Sequence, residues 1–238
     1  MLKITALHLP ALDAAIIDLD GTMVDTLGDF AESLRRMLDD LALPPIEAAQ
    51  IETMVGKGSE HLLRCVLQHV LSSGDQVPTA QRVEALYPRA WERYQHHYLA
   101  INGQYAQVYP GVAEGLQALR SAGLRLACLT NKPTTFALPL LRAKGLDGFF
   151  GHVFGGDAFE RKKPDPLPLR KTCEALGTVA TRTLMVGDSS NDAQAARAAG
   201  CPVVLTTYGY NHGQPVTAVD ADGWVDSLVQ LAPALQRA

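Results

Sequence analysis

The chain has 238 residues, of which 47% are hydrophobic and 19% charged, and this composition excludes an intrinsically disordered protein. The length suits one large domain or two modest ones. The formal net charge of -4 argues against nucleic acid as the main partner, because phosphate backbones recruit basic surfaces.

The cysteines and the apolar segments predict the compartment. The four cysteines lie far apart and form no C-x-x-C pair, which favours reduced thiols in a cytosolic protein. Polar residues and a proline interrupt the apolar run in residues 1–15, so no signal-peptide core is expected there. No apolar stretch is long enough to span a bilayer. The sequence predicts a cytoplasmic protein without a membrane partner and leaves the oligomeric state open.

Five short apolar runs predict buried strands, because a parallel strand covered on both faces has a continuous apolar sequence. These runs lie at residues 14–19, 124–129, 152–154, 183–186 and 202–205. Helical patterns alternate with them at residues 112–120, 134–144 and 192–199. The alternation predicts an α/β fold with a doubly wound, Rossmann-like parallel sheet.

One long segment breaks this alternation. Helices are predicted at residues 27–41, 46–54, 59–72 and 79–101, and no strand is expected between them. We therefore predict an all-helical cap domain at residues 26–101, inserted into an α/β core that comprises residues 1–25 and 102–238.

Polar residues collect at the ends of the predicted strands. In open α/β sheets the ligand binds beyond the carboxyl ends of the strands, so these residues are expected to line one crevice. Three strand ends and the loop before the run at 183–186 contribute to this set, which contains Asp18, Asp20, Thr130, Asn131, Lys163 and Asp188.

The two aspartates of the DLDGT segment at residues 18–22 suit phosphoryl transfer. A carboxylate nucleophile at Asp18 would form an aspartyl-phosphate and divide one difficult reaction into two steps. The carboxyl group of Asp20 would protonate the leaving oxygen and later activate water. By itself this segment is also compatible with a turn closed by an aspartate cap. Its position beside the other polar residues favours the catalytic interpretation.

A cation would be needed beside these carboxylates. They would otherwise repel a phosphate dianion, and Mg²⁺ prefers oxygen ligands of this kind, so Asp188 is expected to complete a magnesium site. Lys163, Thr130 and Asn131 would hold the oxygens of the transferring phosphoryl group. Taken singly, Lys163 is also compatible with a surface lysine and Asp188 with a helix N-cap.

Two further residues are expected to support the site, and one to bind substrate. Thr22 and Asp192 would act on the reacting groups indirectly, Asp192 by orienting Lys163 or the metal ligands. Lys57 lies between two glycines that expose the backbone, before a helix whose N-terminus favours anions. A small carboxylate would suit this loop, but a plain turn with an exposed lysine explains it equally well.

These motifs resemble those of the haloacid dehalogenase superfamily over nearly the whole chain, and the helical insertion resembles its C1-type cap. The resemblance implies that Asp18, the backbone carbonyl of Asp20 and Asp188 bind magnesium. The four superfamily motifs correspond to residues 18–22, Thr130, Lys163, and the Gly187-Asp188 pair with Asp192.

Within the superfamily, the chain is most similar to the bacterial phosphoglycolate phosphatases. Residues 129–133 (LTNKP), 163–166 (KPDP) and 208–211 (YGYN) carry this similarity. The chain departs from the subgroup at Met23 and Thr26, where leucine and serine are usual, and at Lys57, where a neutral residue is expected. The resemblance implies a small phosphorylated metabolite as substrate, 2-phosphoglycolate, hydrolysed to glycolate.

Other functions on the same scaffold stay open. A phosphosugar phosphatase or mutase would retain every motif and differ in how the cap holds its substrate. A dehalogenase would not need Asp20, and a non-catalytic binding protein would not need the complete set of Asp18, Asp20, Lys163 and Asp188.

Overall fold

A computed structural model describes residues 11–72 and 79–235. The expectation that no signal peptide is present depends on residues 1–15, so most of it lies outside the described residues. Among the described residues, no helix is both long enough and apolar enough to cross a membrane.

Strands and helices alternate over most of the described chain. The strands are β1 (Ala14–Ile17), β2 (Val24–Asp25), β3 (Gln107–Val108), β4 (Arg125–Leu129), β5 (His152–Phe154), β6 (Thr183–Gly187), β7 (Val203–Thr206) and β8 (Gly223–Val225). The helices are α1 (Leu27–Asp40), α2 (Ala48–Met54), α3 (Ser59–Val70), α4 (Thr79–Ile101), α5 (Val112–Ser121), α6 (Thr134–Ala143), α7 (Leu167–Leu176), α8 (Ser190–Ala199) and α9 (Leu231–Leu235).

The main sheet is parallel and has six strands in the order β5-β4-β1-β6-β7-β8. Strand β1 pairs with β4 on one side and with β6 on the other, and Ile17 lies opposite Cys128 and Val186. The carboxyl ends of these three strands therefore lie at one edge of the sheet. This confirms the predicted α/β class and places the polar residues that follow each strand next to one another.

Both faces of the sheet are covered, which explains the continuous apolar sequence of β1. Ala15 and Ile17 belong to the core cluster on one face, and Ala14 and Ile16 belong to the cluster on the other. All four side chains are fully buried. No position in this strand is therefore available for a polar residue until the chain leaves the sheet.

The helices α1 to α4 follow one another between β2 and β3, and α4 packs against both α1 and α3. They form a separate apolar cluster that includes Phe30, Leu34, Tyr94 and Tyr98. The chain leaves the main sheet for these helices through β2 and returns through β3, and these two strands pair antiparallel.

Several elements were not predicted, for physical reasons. Strands β2 and β3 have only two residues each, which is too short for a recognisable apolar run, and the three residues of β8 begin with a glycine. Helix α7 has prolines at its N-terminal end, where a proline is compatible with a helix but interrupts a helical sequence pattern. Helix α8 begins at Ser190, two residues before the predicted start.

Candidate active site

A cavity lies beyond the carboxyl ends of β1 and β4, between the sheet and the helices α1 to α3. The empty space of this cavity, including the part that is open to solvent, is about 360 Å³. The sheet side contributes Asp18, Asp20, Thr130, Asn131 and Lys132, and the helical side contributes Phe30, Val55, Gly56, Gly58, Ser59 and Leu62.

Asp18 is the first residue after β1 and lines this cavity. Its backbone N–H donates to the carbonyl of Val186, which keeps the residue in register with the sheet. Its Oδ1 accepts the N–H of Leu19 at 2.7 Å and lies 3.0 Å from Nζ of Lys163. Within the described chain no donor is bonded to its Oδ2. One carboxylate oxygen is thus fixed and the other is free to meet a ligand.

Burial has a large effect on this carboxyl group. It raises the pKa of Asp18 from 3.8 to about 7, the Lys163 ammonium acts in the opposite direction, and the nearby Asp192 adds to the increase. A cation bound beside Asp18 would favour the ionised form, which is the form that can act as a nucleophile.

Lys163 is buried, and its ammonium group contacts three oxygen atoms of the protein. Nζ donates to the carbonyl of Leu129 at 2.9 Å and to Oδ1 of Asp192 at 2.7 Å, besides its contact with Asp18. Burial alone would lower the pKa of Lys163, but the two carboxylates raise it above its ordinary value. The lysine is therefore a permanent positive charge held against Asp18.

Asn131 fixes the backbone of Lys163. Its Nδ2 donates to the Lys163 carbonyl at 2.8 Å, and its Oδ1 accepts the Lys163 N–H at 3.0 Å. The same Nδ2 also lies 3.1 Å from the carbonyl of Gly56 on the helical side. Both polar atoms of the side chain are thus bonded to protein, so the predicted contact of Asn131 with substrate would have to come from its backbone.

Asp192 lies in the first turn of α8 and combines two tasks. Its Oδ2 accepts the N–H groups of Asp188 and Ser189 and the hydroxyl of Ser189, which forms a capping box at the helix N-terminus. Its Oδ1 accepts the ammonium group of Lys163 at 2.7 Å. The helix start and the lysine are therefore held by one carboxylate.

Asp188 follows β6 and is almost completely buried. Its Oδ1 accepts the hydroxyl of Thr22 at 3.1 Å, and its Oδ2 accepts the N–H of Tyr210 at 2.6 Å. Burial raises the pKa of Asp188 well above its ordinary value, and the neighbouring Asp192 and Asp18 carboxylates raise it further. Thr22 thus holds one carboxylate oxygen of Asp188.

Tyr210 also contacts the start of the helical segment. Its hydroxyl donates to Oδ1 of Asp25 and accepts the backbone N–H groups of Thr26 and Leu27 at 2.9 and 3.1 Å. The YGYN segment at residues 208–211 therefore connects Asp188 to the point where the chain leaves the sheet.

The oxygen atoms gathered here fit a divalent cation. Asp18, Asp188 and Asp192 each offer a carboxylate oxygen within 4.8 Å of the other two. Asp192 is less available than the others, because its Oδ2 already accepts three donors and its Oδ1 accepts Lys163. The carbonyl oxygen of Asp20 accepts no hydrogen bond from the described residues. Asp18, Asp188 and this carbonyl therefore form a set of hard oxygen donors.

Gly21 allows the chain to pass close to Asp188. Its φ of +81° lies in the region that other residues rarely adopt, and a Cβ at this position would lie 2.3 Å from Oδ2 of Asp188. The glycine of the DLDGT segment is therefore required by the geometry of the carboxylate cluster as well as by the turn.

The side chain of Asp20 points away from the carboxylate cluster and pairs with a lysine. Its Oδ1 lies 2.8 Å from Nζ of Lys132, whose side chain is buried. This Nζ also lies 4.5 and 4.8 Å from the ring centroids of Phe30 and Tyr98. Lys132 was not predicted as a site residue. The sequence signal was its place directly after Thr130 and Asn131, but its burial depends on helices far away in the chain.

Residues that line the same cavity also carry unpaired donors. The backbone N–H groups of Asp20 and Asn131 donate to no acceptor in the described part of the chain, and both residues line the cavity. The hydroxyl oxygen of Thr130 accepts the N–H of Lys132 at 3.2 Å, which leaves the hydroxyl hydrogen for another acceptor. These three donors are suited to the oxygens of a phosphoryl group.

Lys57 is placed elsewhere. Its side chain is exposed and belongs to an outer surface shared with Glu60, His61 and Lys162, and it does not line the cavity. Gly56 and Gly58 have φ values of +115° and +89°, and these two residues line the cavity while the side chain between them does not. The substrate contact predicted for Lys57 has no support in this arrangement.

The chain belongs to the haloacid dehalogenase-like hydrolases, whose family model matches residues 12–200. This confirms the resemblance seen in the motifs. Phosphatases of this family generally use a divalent metal ion, in keeping with the buried carboxylate cluster.

Individual relatives match over nearly the whole chain. A phosphoglycolate phosphatase from Thiobacillus denitrificans is 40% identical, over 95% of this chain and 97% of its own length. A plasmid-encoded phosphoglycolate phosphatase from Cupriavidus necator is 43% identical, over 93% of this chain and 92% of its own length. The crystal structure of a predicted phosphoglycolate phosphatase from Haemophilus somnus superposes with a TM-score of 0.86 at 32% identity, covering 93% of this chain and 97% of that one.

Proposed function

We propose that this protein is a magnesium-dependent phosphatase that hydrolyses 2-phosphoglycolate to glycolate and inorganic phosphate through an aspartyl-phosphate on Asp18. One observation carries the proposal most directly. Asp18 lines a cavity with one carboxylate oxygen held by Leu19 and Lys163, and no donor from the described residues is bonded to the other oxygen. The names of the relatives support the choice of substrate.

In the first step, Oδ2 of Asp18 attacks phosphorus and the bond from phosphorus to the leaving oxygen breaks. The Asp20 carboxyl gives its proton to that oxygen, so glycolate leaves as an alcohol. The N–H groups of Asp20 and Asn131 and the hydroxyl of Thr130 bind the phosphoryl oxygens as negative charge moves onto them. Lys163 holds the nucleophile in position and compensates its charge.

In the second step, Asp20 takes a proton from a water molecule, and the water oxygen attacks phosphorus. The bond between phosphorus and Asp18 breaks, which releases inorganic phosphate and restores the carboxylate. The same residue thus acts as acid and then as base.

Asp18, Asp188 and the backbone carbonyl of Asp20 would hold the magnesium ion. When bound, the ion would neutralise the repulsion between these carboxylates and the phosphate group. A donor set made only of oxygen atoms favours Mg²⁺ or Mn²⁺ over metals that prefer nitrogen and sulfur ligands.

We further propose that residues 26–101 act as a cap over the core, which comprises residues 1–25 and 102–238. The helical segment supplies more than half of the cavity-lining residues, so it would separate bound substrate from bulk water. All four cysteines are free, and three of them are buried. Free thiols suit the cytoplasm, where we place the reaction.

A substrate panel with the purified protein tests the proposal. Phosphate release would be measured for 2-phosphoglycolate, sugar phosphates and nucleoside monophosphates, each with magnesium and with chelator. We expect the highest kcat/KM for 2-phosphoglycolate and no turnover in chelator. A low rank for 2-phosphoglycolate would reject the substrate, and full activity in chelator would reject the metal.

A further inference from the structure

The cavity contains a lysine to which the mechanism above assigns no task. Lys132 is 2% exposed, and it is the one cationic side chain among the described residues that line the cavity. The other two charged residues that line the cavity, Asp18 and Asp20, are both carboxylates. A substrate with a second negative charge besides its phosphate would therefore find one place where that charge is favoured.

The two buried lysines of the site differ in how many donors they have left. Lys163 donates to three protein oxygens, which uses all three hydrogens of its ammonium group. Nζ of Lys132 donates to Oδ1 of Asp20 alone, as far as the described residues extend. Two of its hydrogens are thus available to a ligand, and a charge buried with so few partners is unusual without one.

The surroundings of Lys132 keep its ammonium group inside the cavity. The rings of Phe30 and Tyr98 lie within 4.8 Å of Nζ and hold it by cation–π contacts. Ser59, the first residue of α3, lines the same cavity and is buried. The positive end of that helix adds to the preference for an anion.

We propose that Lys132 is the residue that recognises the carboxylate of the leaving group and so sets the preference for 2-phosphoglycolate. This inference rests on the proposed function. In the substrate, a single CH₂ group separates the leaving oxygen from the carboxylate. In the protein, the proposed proton donor Asp20 and the ammonium of Lys132 are separated by only 2.8 Å. A leaving group that meets Asp20 through its oxygen therefore presents its carboxylate to Lys132.

The same geometry disfavours larger substrates. A sugar phosphate would place neutral hydroxyl groups against the ammonium and would have to pass the apolar side chains of Phe30, Val55 and Leu62, which form the helical side of the cavity. The hydroxyls would gain less from Lys132 than a carboxylate does, because charge-assisted hydrogen bonds are the stronger ones.

The test compares two substrates that differ only at the recognised group. In 2-hydroxyethyl phosphate a hydroxymethyl group replaces the carboxylate of 2-phosphoglycolate, and both are alkyl esters that need protonation by Asp20. The readout is the ratio of kcat/KM for 2-phosphoglycolate to that for 2-hydroxyethyl phosphate. This ratio separates recognition of the carboxylate from any effect of Lys132 on Asp20, because the latter lowers both values alike.

Lys132→Met keeps most of the side-chain volume and removes the charge. We expect it to lower the ratio by about 10- to 100-fold, the loss of one charged hydrogen bond, and Lys132→Arg to retain most of the ratio. Lys171→Met, at an exposed lysine of α7 paired with Glu174, is the control for loss of a positive charge and should leave the ratio unchanged. Circular dichroism checks that each variant is folded, and Lys132→Gln replaces Lys132→Met if the latter is not.

Two results would overturn the inference. One is an unchanged ratio in the Lys132→Met protein, whatever happens to the separate kcat/KM values. The other is a loss of the ratio in Lys57→Met and not in Lys132→Met, which would assign recognition to the loop between α2 and α3.

A failure of the proposed function would look different, because wild-type protein would then not prefer 2-phosphoglycolate at all. Calorimetric binding of 3-phosphonopropionate and 3-hydroxypropylphosphonate, in which carbon replaces the leaving oxygen, tests Lys132 without turnover. Weaker binding of the carboxylate compound to Lys132→Met than to wild type, with the hydroxyl compound unaffected, supports the inference. Equal effects on both compounds reject it.

Discussion

Replacing the proposed nucleophile Asp18 by asparagine is expected to stabilise the metal-free protein while it abolishes turnover. The carboxylate is buried, and burial raises its pKa from 3.8 to about 7. The amide oxygen of asparagine can still accept the N–H of Leu19 and the ammonium of Lys163, so the local structure should survive. What disappears is the free energy needed to keep a charged oxygen in a buried site.

The magnitude follows from the pKa change. A shift from 3.8 to about 7 corresponds to about 4 kcal/mol of destabilisation above pH 7, because each pKa unit is worth about 1.4 kcal/mol. The variant also deprives Lys163 of one of its two carboxylate partners, and this loss offsets part of the gain in stability. We therefore expect a net gain of about 1–3 kcal/mol at pH 8.

The pH dependence has a definite sign. Between pH 3.8 and about 7 the unfolded chain has lost the Asp18 proton and the folded chain still binds it. The folded state thus binds more protons, so wild-type stability falls as the pH rises through this window. The advantage of Asp18→Asn should be small near pH 4 and complete above pH 7.

Urea denaturation in chelator, at pH 5 and pH 8, measures this difference. Glu174→Gln, at an exposed carboxylate of α7, is the control and should change stability by less than about 0.5 kcal/mol. Added magnesium should stabilise wild type more than the variant. The reasoning is refuted if Asp18→Asn is no more stable than wild type at pH 8 in chelator, or if its advantage does not depend on pH.

Three further predictions concern the chemistry. Asp20→Asn should slow alkyl phosphates more than an aryl phosphate with a good leaving group, because only the former need protonation; equal losses in steady-state kinetics would argue against the acid role. Asp188→Ala should reduce activity by roughly 100-fold or more at millimolar magnesium, and a magnesium titration with unchanged midpoint would contradict its place among the ligands. Gly21→Ala should destabilise the protein by about 1–3 kcal/mol and weaken magnesium binding, because the new methyl group would meet Oδ2 of Asp188. The measurement is thermal melting with and without magnesium, and an unchanged melting temperature in both conditions would contradict the prediction.

The sheet and its edge could be predicted because the controlling signal is local. A strand buried on both faces has to be apolar throughout, so the first polar residue after the run marks the point where the chain leaves the sheet. Asp18 and Asp188 were located in this way, and the structure places both at that edge.

Lys132 could not be recognised as part of the cavity, because its environment is made by distant parts of the chain. The residues that enclose its ammonium group, Phe30 and Tyr98, come from α1 and α4. For Lys57, the sequence indicated the right segment of the chain but not the position of the side chain. The glycines on either side of it indicate a loop that approaches the site, but only the backbone conformation determines that the side chain between them is exposed. The sequence pattern thus indicated a loop near the site, whereas the exposure of the Lys57 side chain is visible only in the structure.

The hydrogen bonds of Tyr210 restrict how this protein could be recombined with its relatives. One residue holds Oδ2 of Asp188 through its N–H and the backbone of Thr26 and Leu27 through its hydroxyl. The helical segment is continuous in sequence and looks easy to exchange, yet its first turn is held by a residue more than 180 positions away. A chimaera that takes this segment from another protein would therefore have to inherit a matching tyrosine near the C-terminus, or the exchange would reach the carboxylates of the site.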